Sequence, residues 1–469
     1  MISQYNIGKR GSVAEYNANN AWLYNGNNGN VNNNNKYNSN DVRPVLESYH
    51  VTDNLSNVFV PLEEWYKIYR ICKKNCSKKT LHLRFRADFA KNVVELCHDV
   101  GMMEYVAKDG ICFTIEKPDL REVIAADFTD KMVQTWYCEK VMPMLEARYL
   151  HPDSYACRVG KGGLRAVLKL QDYIFEASNG YTTDVWLAKY DFKGFFMSID
   201  TKIATDDLNK FIIENTKDDQ LRQWLLWMTR IIYLSQPQEH CRMQSPMWME
   251  YQLHEHKRML GKTGYKGVAI GNKTSQMLAA FRVTFFLLLL VALGYKFVHY
   301  TDDGVTPVVD KAKWLADRRR LAEWVKEKGL TLHPAKVYLQ HYSKGVEMLG
   351  YKLRFDRMLP SDRIVHNFKW KTKCTLRKTA ESVAYRYGNA EHFMQTVNSY
   401  LGLLGWCNSY RLRREVVETI KESIYGDFYT FAEDYSKITL KTPYKRVTHF
   451  VRLNSDRKNK LKSKSWLKS

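Results

Sequence analysis

The sequence predicts an α+β fold, and three observations point there. The first is a hairpin. Within Phe297–Val305 an apolar, aromatic run is broken by Asp302 and Asp303 and resumes as Val305, Val308 and Val309, the pattern of two strands joined at a tight turn. The second is a strand-like run, Lys189–Asp200, which sets Asp191 among aromatic and aliphatic residues far upstream of the hairpin. The third is apolar residues at helical spacing through much of the remaining chain. Adjacent carboxylates repel, so Asp302 and Asp303 call for a cation. Asp-Asp-Gly is also an ordinary turn sequence, and the second acidic strand is what gives the hairpin weight.

Length and charge narrow the function. A chain of 469 residues has room for two or three domains. Lys plus Arg number 72 against 50 acids, a net charge of +22, which points first to a polyanionic partner. Nine cysteines are scattered without Cys-x-x-Cys pairs; reduced and mostly buried thiols are expected, with no metal at Cys72 and Cys76. The first thirty residues are polar and read as no signal peptide. The longest apolar run, Val283–Leu293, spans 11 residues, short of the roughly 20 a bilayer requires. It reads as a buried helix in a soluble, cytoplasmic protein without a membrane partner.

In chain order, thirteen of the 24 positions from Asn17 to Asn40 are Asn. Such a segment buries too little apolar area to fold alone, and disorder is expected over 1–58. Helices are expected from Pro61 to about Gly101, where Leu62, Trp65, Ile68 and Tyr69, then Phe89, Val93, Val94, Leu96 and Cys97, keep helical spacing. Phe113–Ile124 reads as strand, turn, strand. The Gly-rich basic loop Ser154–Gly163 lacks the register of a phosphate-binding P-loop, which excludes that class of nucleotide hydrolase. Residues 201–260 read as a helical insert rich in Trp and Met without chemistry of its own. Trp314–Glu327 reads as a basic helix, and 364–435 as helices with dispersed cations. From Lys441 to Ser469 there are ten Lys or Arg and one acid, a tail suited to non-specific RNA binding.

Three motifs in order carry a resemblance. Asp191-x-x-x-Phe195-Phe196, then Gly271-x-x-x-Ser275-Gln276, then Tyr300-x-Asp302-Asp303 resemble motifs A, B and C of a reverse transcriptase. Leu332–Lys336 resembles motif D, and Met348, Leu349, Gly350 and Tyr351 resemble the primer grip. The resemblance spans roughly residues 85 to 430. It implies a right-hand polymerase: a region of N-terminal helices and fingers over 59–185, an antiparallel-sheet palm over 186–358, a helical thumb over 359–435 and the basic tail over 436–469. It also implies two Mg2+ ions held by Asp191, Asp302 and Asp303 with the neighbouring Phe192, dNTP substrates, and an RNA template leaving as an RNA/cDNA duplex.

Further roles follow from the resemblance. Lys117 and Arg121 of the fingers hairpin would fold over the incoming triphosphate, joined by Arg158 at the template and nucleotide. Phe192 and Phe196 would line the nucleotide site, with Phe196 beneath the sugar, where a bulky ring disfavours a 2′-hydroxyl. Lys336 would protonate the departing pyrophosphate, or is simply a surface lysine. Gly271 would let the backbone approach the templating pair, beside Ile270 and Gln276. Where most reverse transcriptases have Gln-Gly-x-x-x-Ser-Pro, this chain has Ile270-Gly271-x-x-x-Ser275-Gln276, which resembles diversity-generating retroelement enzymes. In them the implied partners are a structured template RNA and a small basic accessory protein, and errors concentrate at template adenines. The Asn-rich start, built from adenine-rich codons, reads as a translated template repeat, as a low-complexity tail, or as sequence upstream of the true start. The alternatives are a retron-like or phage-defence reverse transcriptase and a non-catalytic RNA-binding scaffold.

Overall fold

The computed structural model describes residues 60–448, apart from 75, 77–78, 117–119 and 446. The Asn-rich segment, Lys117 and the tail from 449 onward lie outside these residues. The described chain opens with α1 (Leu62–Lys73), α2 (Thr80–Ala87) and α3 (Phe89–Gly101). Helix α1 buries Leu62, Trp65, Ile68, Tyr69 and Cys72 along one stripe, with Glu63 and Glu64 in its first turn and Arg70 and Lys73 in its last, charges that complement the helix dipole. The fingers hairpin follows as β1 (Gly110–Ile115) and β2 (Arg121–Ala125), paired antiparallel with Thr114 opposite Glu122. Next comes α4 (Phe128–Arg148), started by the Asp127 carboxylate accepting from the Thr129 N–H, and then α5 (Gly163–Ala177).

The region expected to form the palm begins at β3 (Trp186–Asp191). The strand-like run expected over Lys189–Asp200 stops at Asp191, where the chain turns through the left-handed Gly194 into the short α6 (Phe195–Ser198), followed by α7 (Thr201–Asn215) and α8 (Asp219–Tyr233). The insert expected to be helical throughout also contains β4 (Cys241–Met243), which pairs parallel with β1, before α9 (Met247–Tyr251). Helix α10 (Lys273–Ala292) is apolar on nearly every side and packs in the main core. Among the described residues it alone is long and apolar enough to cross a membrane, and most of it is buried within the protein. The hairpin β5 (Val298–Tyr300) and β6 (Asp303–Val308), helix α11 (Lys311–Glu327) and β7 (Tyr338–His341) complete a sheet of order β5-β6-β3-β7 with antiparallel neighbours.

A second palm sheet holds β8 (Val346–Met348), β9 (Tyr351–Leu353) and β10 (Met358–Pro360). Beyond it stand α12 (Asp362–Glu381), α13 (Val383–Leu404) and α14 (Tyr410–Lys421), then a hairpin of β11 (Tyr429–Phe431) and β12 (Ile438–Leu440). The thumb is therefore not purely helical. Its core includes Ile438 and Leu440, so the expected boundary at 435 divides a hairpin, and the first residues assigned to the tail belong to the thumb.

Candidate active site

Strand β3 ends on one acid and β6 begins on another, and the register places Asp191 opposite Asp303. Asp302 occupies the turn just before β6. Its carbonyl accepts the Phe192 N–H at 3.1 Å, while the Asp191 carbonyl accepts the His333 N–H at 2.7 Å. Asp191 and the adjacent pair Asp302 and Asp303, from two distant stretches of the chain, thus share one end of a sheet. Burial, and then the charge of Asp191, pushes the Asp302 carboxyl up; Lys336 and Arg121 act against this. Burial pushes Asp303 up to about 6, opposed chiefly by Lys189. Lys189 lies 3.2 Å from Asp303, and the Lys336 ammonium 3.1 Å from Asp191 Oδ2. The other oxygen of Asp303, Oδ1, is buried without a hydrogen-bond partner.

A fully buried histidine stands on the first strand of the hairpin, opposite Gly304. The His299 ring stacks on Tyr190, with Nε2 at 2.9 Å from the Thr301 carbonyl and Nδ1 at 3.4 Å from the Tyr190 hydroxyl. The carbonyl needs a donor, so the Nε2-protonated tautomer fits this arrangement. Burial holds His299 down to about 4, neutral around pH 7. Tyr190 lies so close over Gly304 that a Cβ there would fall 2.2 Å from its Cζ, which makes glycine obligatory after the acids.

The other expected residues divide. Arg121 stands on β2 and acts electrostatically on Asp302. Phe196 is half-buried, edge-on to Phe195. The Phe192 ring is sunk in the core against Phe195 and Phe286, so only its main chain faces the acids, a correction to its expected nucleotide contact. Gly271 has φ +118°, and a Cβ there would come 3.0 Å from Val123 Cγ1; the close approach is to the fingers strand. Ile270 follows suit, packing partly buried on a small fingers core, with its carbonyl accepting the Ile124 N–H at 3.2 Å. Gln276 is exposed on the first turn of α10. Met348 and Tyr351 pair across a two-residue turn in which Leu349 and Gly350 both have positive φ, the hairpin geometry that matches strand twist. The Tyr351 hydroxyl donates to the Leu403 carbonyl of the thumb at 3.2 Å.

Arg158 is also corrected. Its Nη1 donates to the carbonyls of His151 and Ser154 at 2.8 and 2.9 Å, and its Nε to Glu146. Its side chain is 7% exposed, so its donors shape the loop that lies along β5 through the Tyr155 N–H to His299 carbonyl bond. Sequence reasoning missed Lys189, although two-residue alternation along β3 puts it on the same face as Asp191. It also missed His299. All nine cysteines are free, and Cys157 is exposed.

The family model for reverse transcriptase (RNA-dependent DNA polymerase) matches residues 115–353, just over half of the chain. No curated protein matches in sequence. Among solved structures the fold is similar to apo telomerase from Candida Tropicalis truncated from its C-terminal domain, at 11% identity and a TM-score of 0.38, over 54% of this chain and 55% of that one. The chain thus spans about half the length of that solved neighbour.

Proposed function

Because the chain belongs to the reverse transcriptase (RNA-dependent DNA polymerase) family, we propose that it copies an RNA template into DNA by nucleotidyl transfer at Asp191, Asp302 and Asp303. The observation that carries this reading is the register of β3 against β6, which aligns Asp191 with Asp303 beside Asp302. The donor set suits hard divalent cations of the Mg2+ type. It consists of carboxylate oxygens that raise one another's proton affinity, and one buried oxygen has no hydrogen-bond partner. Two such ions, held by Asp191 and Asp302 with Asp303 and the Phe192 main chain beside them, would stabilise charge on the attacking and leaving oxygens.

The remaining tasks belong to the protein's own side chains. Lys336 Nζ lies 3.1 Å from Asp191 Oδ2 and delivers a proton to the departing pyrophosphate as a general acid. Arg121, with Lys117, holds the triphosphate through paired N–H donors. The Phe196 ring lies under the sugar and excludes a 2′-hydroxyl. The Met348–Tyr351 turn holds the primer end. Lys189 ties that turn to the acids, since its ammonium reaches Asp303 at 3.2 Å and the Glu347 carbonyl on β8 at 2.9 Å.

The test is primer extension by the full chain on an RNA template with dNTPs and Mg2+. Asp302→Asn is expected to lose at least about 10²-fold in rate while retaining affinity for the primed template. Extension at the wild-type rate overturns the assignment.

We further infer an error-prone enzyme of a diversity-generating retroelement, working with a structured template RNA and a small basic accessory protein. The support is Ile270 and Gln276 in motif B and the Asn-rich start. An apolar Ile270 offers no hydrogen bond with which to check the nascent pair, and discrimination rests on a few such contacts. Ile270→Gln is expected to lower misincorporation opposite template adenine; an unchanged error spectrum removes this reading.

A further inference from the structure

The fingers sheet carries a second polar cluster, separate from the palm acids and unused by the reaction. Alternation and register set its members on one face. Cys112 and Thr114 lie two apart on β1, Glu122 pairs with Thr114 from β2, and Cys241 lies diagonal to Cys112 on β4. Onto this face α9 lowers Glu250, whose carboxylate accepts the Thr114 hydroxyl through Oε1. Cys112 Sγ and one oxygen each of Glu122 and Glu250 lie within 4.8 Å of one another, all three residues being buried. Cys241 flanks Cys112 across the sheet, its thiol donating to the Gln238 carbonyl at 3.7 Å.

Two features of this cluster are costly for a protein interior without a cation. Glu122 and Glu250 are 1% exposed and face each other, and Glu122 is held by the main-chain N–H groups of Met259 and Leu260 rather than by Lys or Arg. Glu250 Oε2 is buried and has no hydrogen-bond partner. A buried carboxylate oxygen left without a donor beside a second carboxylate is strongly destabilising unless a proton or a metal joins them.

We propose that Cys112, Glu122 and Glu250, with Cys241 as the fourth ligand, form a structural site for a thiophilic divalent transition metal, Zn2+ being the best fit. Mixed thiolate and carboxylate donors select such a metal over Mg2+. Zinc-ligand bonds of about 2.0–2.3 Å hold tetrahedral donors roughly 3.5 Å apart, a contraction within reach of the Cys112, Glu122 and Glu250 atoms already inside 4.8 Å of one another. Cys241, outside that group, would turn from the Gln238 carbonyl to complete the set. The main-chain N–H groups on Glu122 and the Thr114 hydroxyl on Glu250 act as the outer hydrogen bonds that orient metal ligands. The consequence is mechanical. The site joins α9 and β4 to the fingers hairpin, in the same small core as Ile124, Ala269 and Ile270, and so steadies the seat of motif B.

This inference does not depend on polymerase activity, and its test measures metal directly. Full-length protein, purified without chelator and dialysed, is expected to hold about one equivalent of zinc by elemental analysis. Glu250→Gln and the Cys112→Ser/Cys241→Ser double variant should each fall below a tenth of that, while Asp302→Asn keeps it, which separates this site from the palm. Chelated wild-type protein given Co2+ should develop thiolate-to-cobalt charge-transfer absorption, a readout that requires no variant to fold. Overturning results are wild-type protein that neither carries zinc nor shows the cobalt band, or Glu250→Gln that retains its zinc. A metal-free wild type outstabilised by Glu250→Gln would identify two carboxyls sharing a proton instead.

Discussion

Thr301 adopts a left-handed backbone with φ +60°, unfavourable for a β-branched residue by about 1–3 kcal/mol. The turn that presents Asp302 must therefore be held from outside, and His299 does so by donating to the Thr301 carbonyl. Its titration gives a test. The unfolded imidazole has an ordinary pKa of 6.5, whereas burial lowers the folded value to about 4. As pH falls below 6.5 the unfolded chain takes up a proton that the folded chain refuses, so stability is lost down to about pH 4 and is intact above 6.5. The span corresponds to roughly 3 kcal/mol. Asp130, raised to about 6 by burial, acts in the opposite sense, so the comparison must be between variants. His299→Gln is expected to have a shallower decline in melting temperature from pH 7 to pH 4.5 than the wild type; parallel curves would show that His299 titrates normally. Phe196 supplies a second test at this scale. If its ring lies beneath the sugar, Phe196→Ala should raise ribonucleotide incorporation at least about tenfold, worth one missing steric contact of about 1.4 kcal/mol, with dNTP use changed far less.

At the scale of elements, legibility followed length and period. The acidic hairpin and α10 were readable because each is an apolar pattern with a polar break at a meaningful place. The run from Lys189 to Asp200, by contrast, reads as one strand and is a strand only to Asp191, with Phe195–Ser198 helical behind the left-handed Gly194. The thumb hairpin was not readable. Tyr429–Phe431 and Ile438–Leu440 are three residues each, too short for alternation to stand out beside a basic tail. Strand β4 was hidden for a further reason, since its partner β1 lies over a hundred residues earlier and pairing at that distance leaves no local trace. Lys189 could be found from alternation alone, whereas the inward turn of Arg158 could not, because a charged residue in a Gly-rich loop reads as exposed. The thumb hairpin yields a prediction. A chain ending at residue 435 loses Ile438 and Leu440, which are 0% and 2% exposed, and with them the Asn398 side-chain bonds to the Ile438 main chain. Burial of the two side chains alone is worth about 3–6 kcal/mol, comparable with the whole margin of a small domain. Limited proteolysis should therefore cut within α13 or α14 of that truncation and spare a chain ending at 448. Equal resistance of the two would mean that the thumb closes without β12.

For the whole molecule the dominant quantity is charge. A net +22 on 469 residues makes nucleic-acid affinity largely a matter of released counterions, with log affinity falling linearly in log salt by about 0.7–0.9 for each phosphate neutralised. The share held by the C-terminal segment can be isolated. Residues 449–469 contribute seven Lys or Arg and one acid. Removing them should reduce the magnitude of the log–log slope for RNA binding by several units, up to a limit of about five if all seven cations neutralise phosphates. Affinity should fall most at low salt and converge with that of the full chain as salt rises and screening removes the difference. The extension rate at saturating primed template should not change, since Asp191, Asp302, Asp303 and the cations paired with them are all retained. A truncated chain with the full slope would place the phosphate contacts on residues before 449, on thumb lysines such as Lys371 and Lys373. A truncated chain that binds normally but extends slowly would instead give the segment a part in positioning the duplex, which its charge alone does not imply.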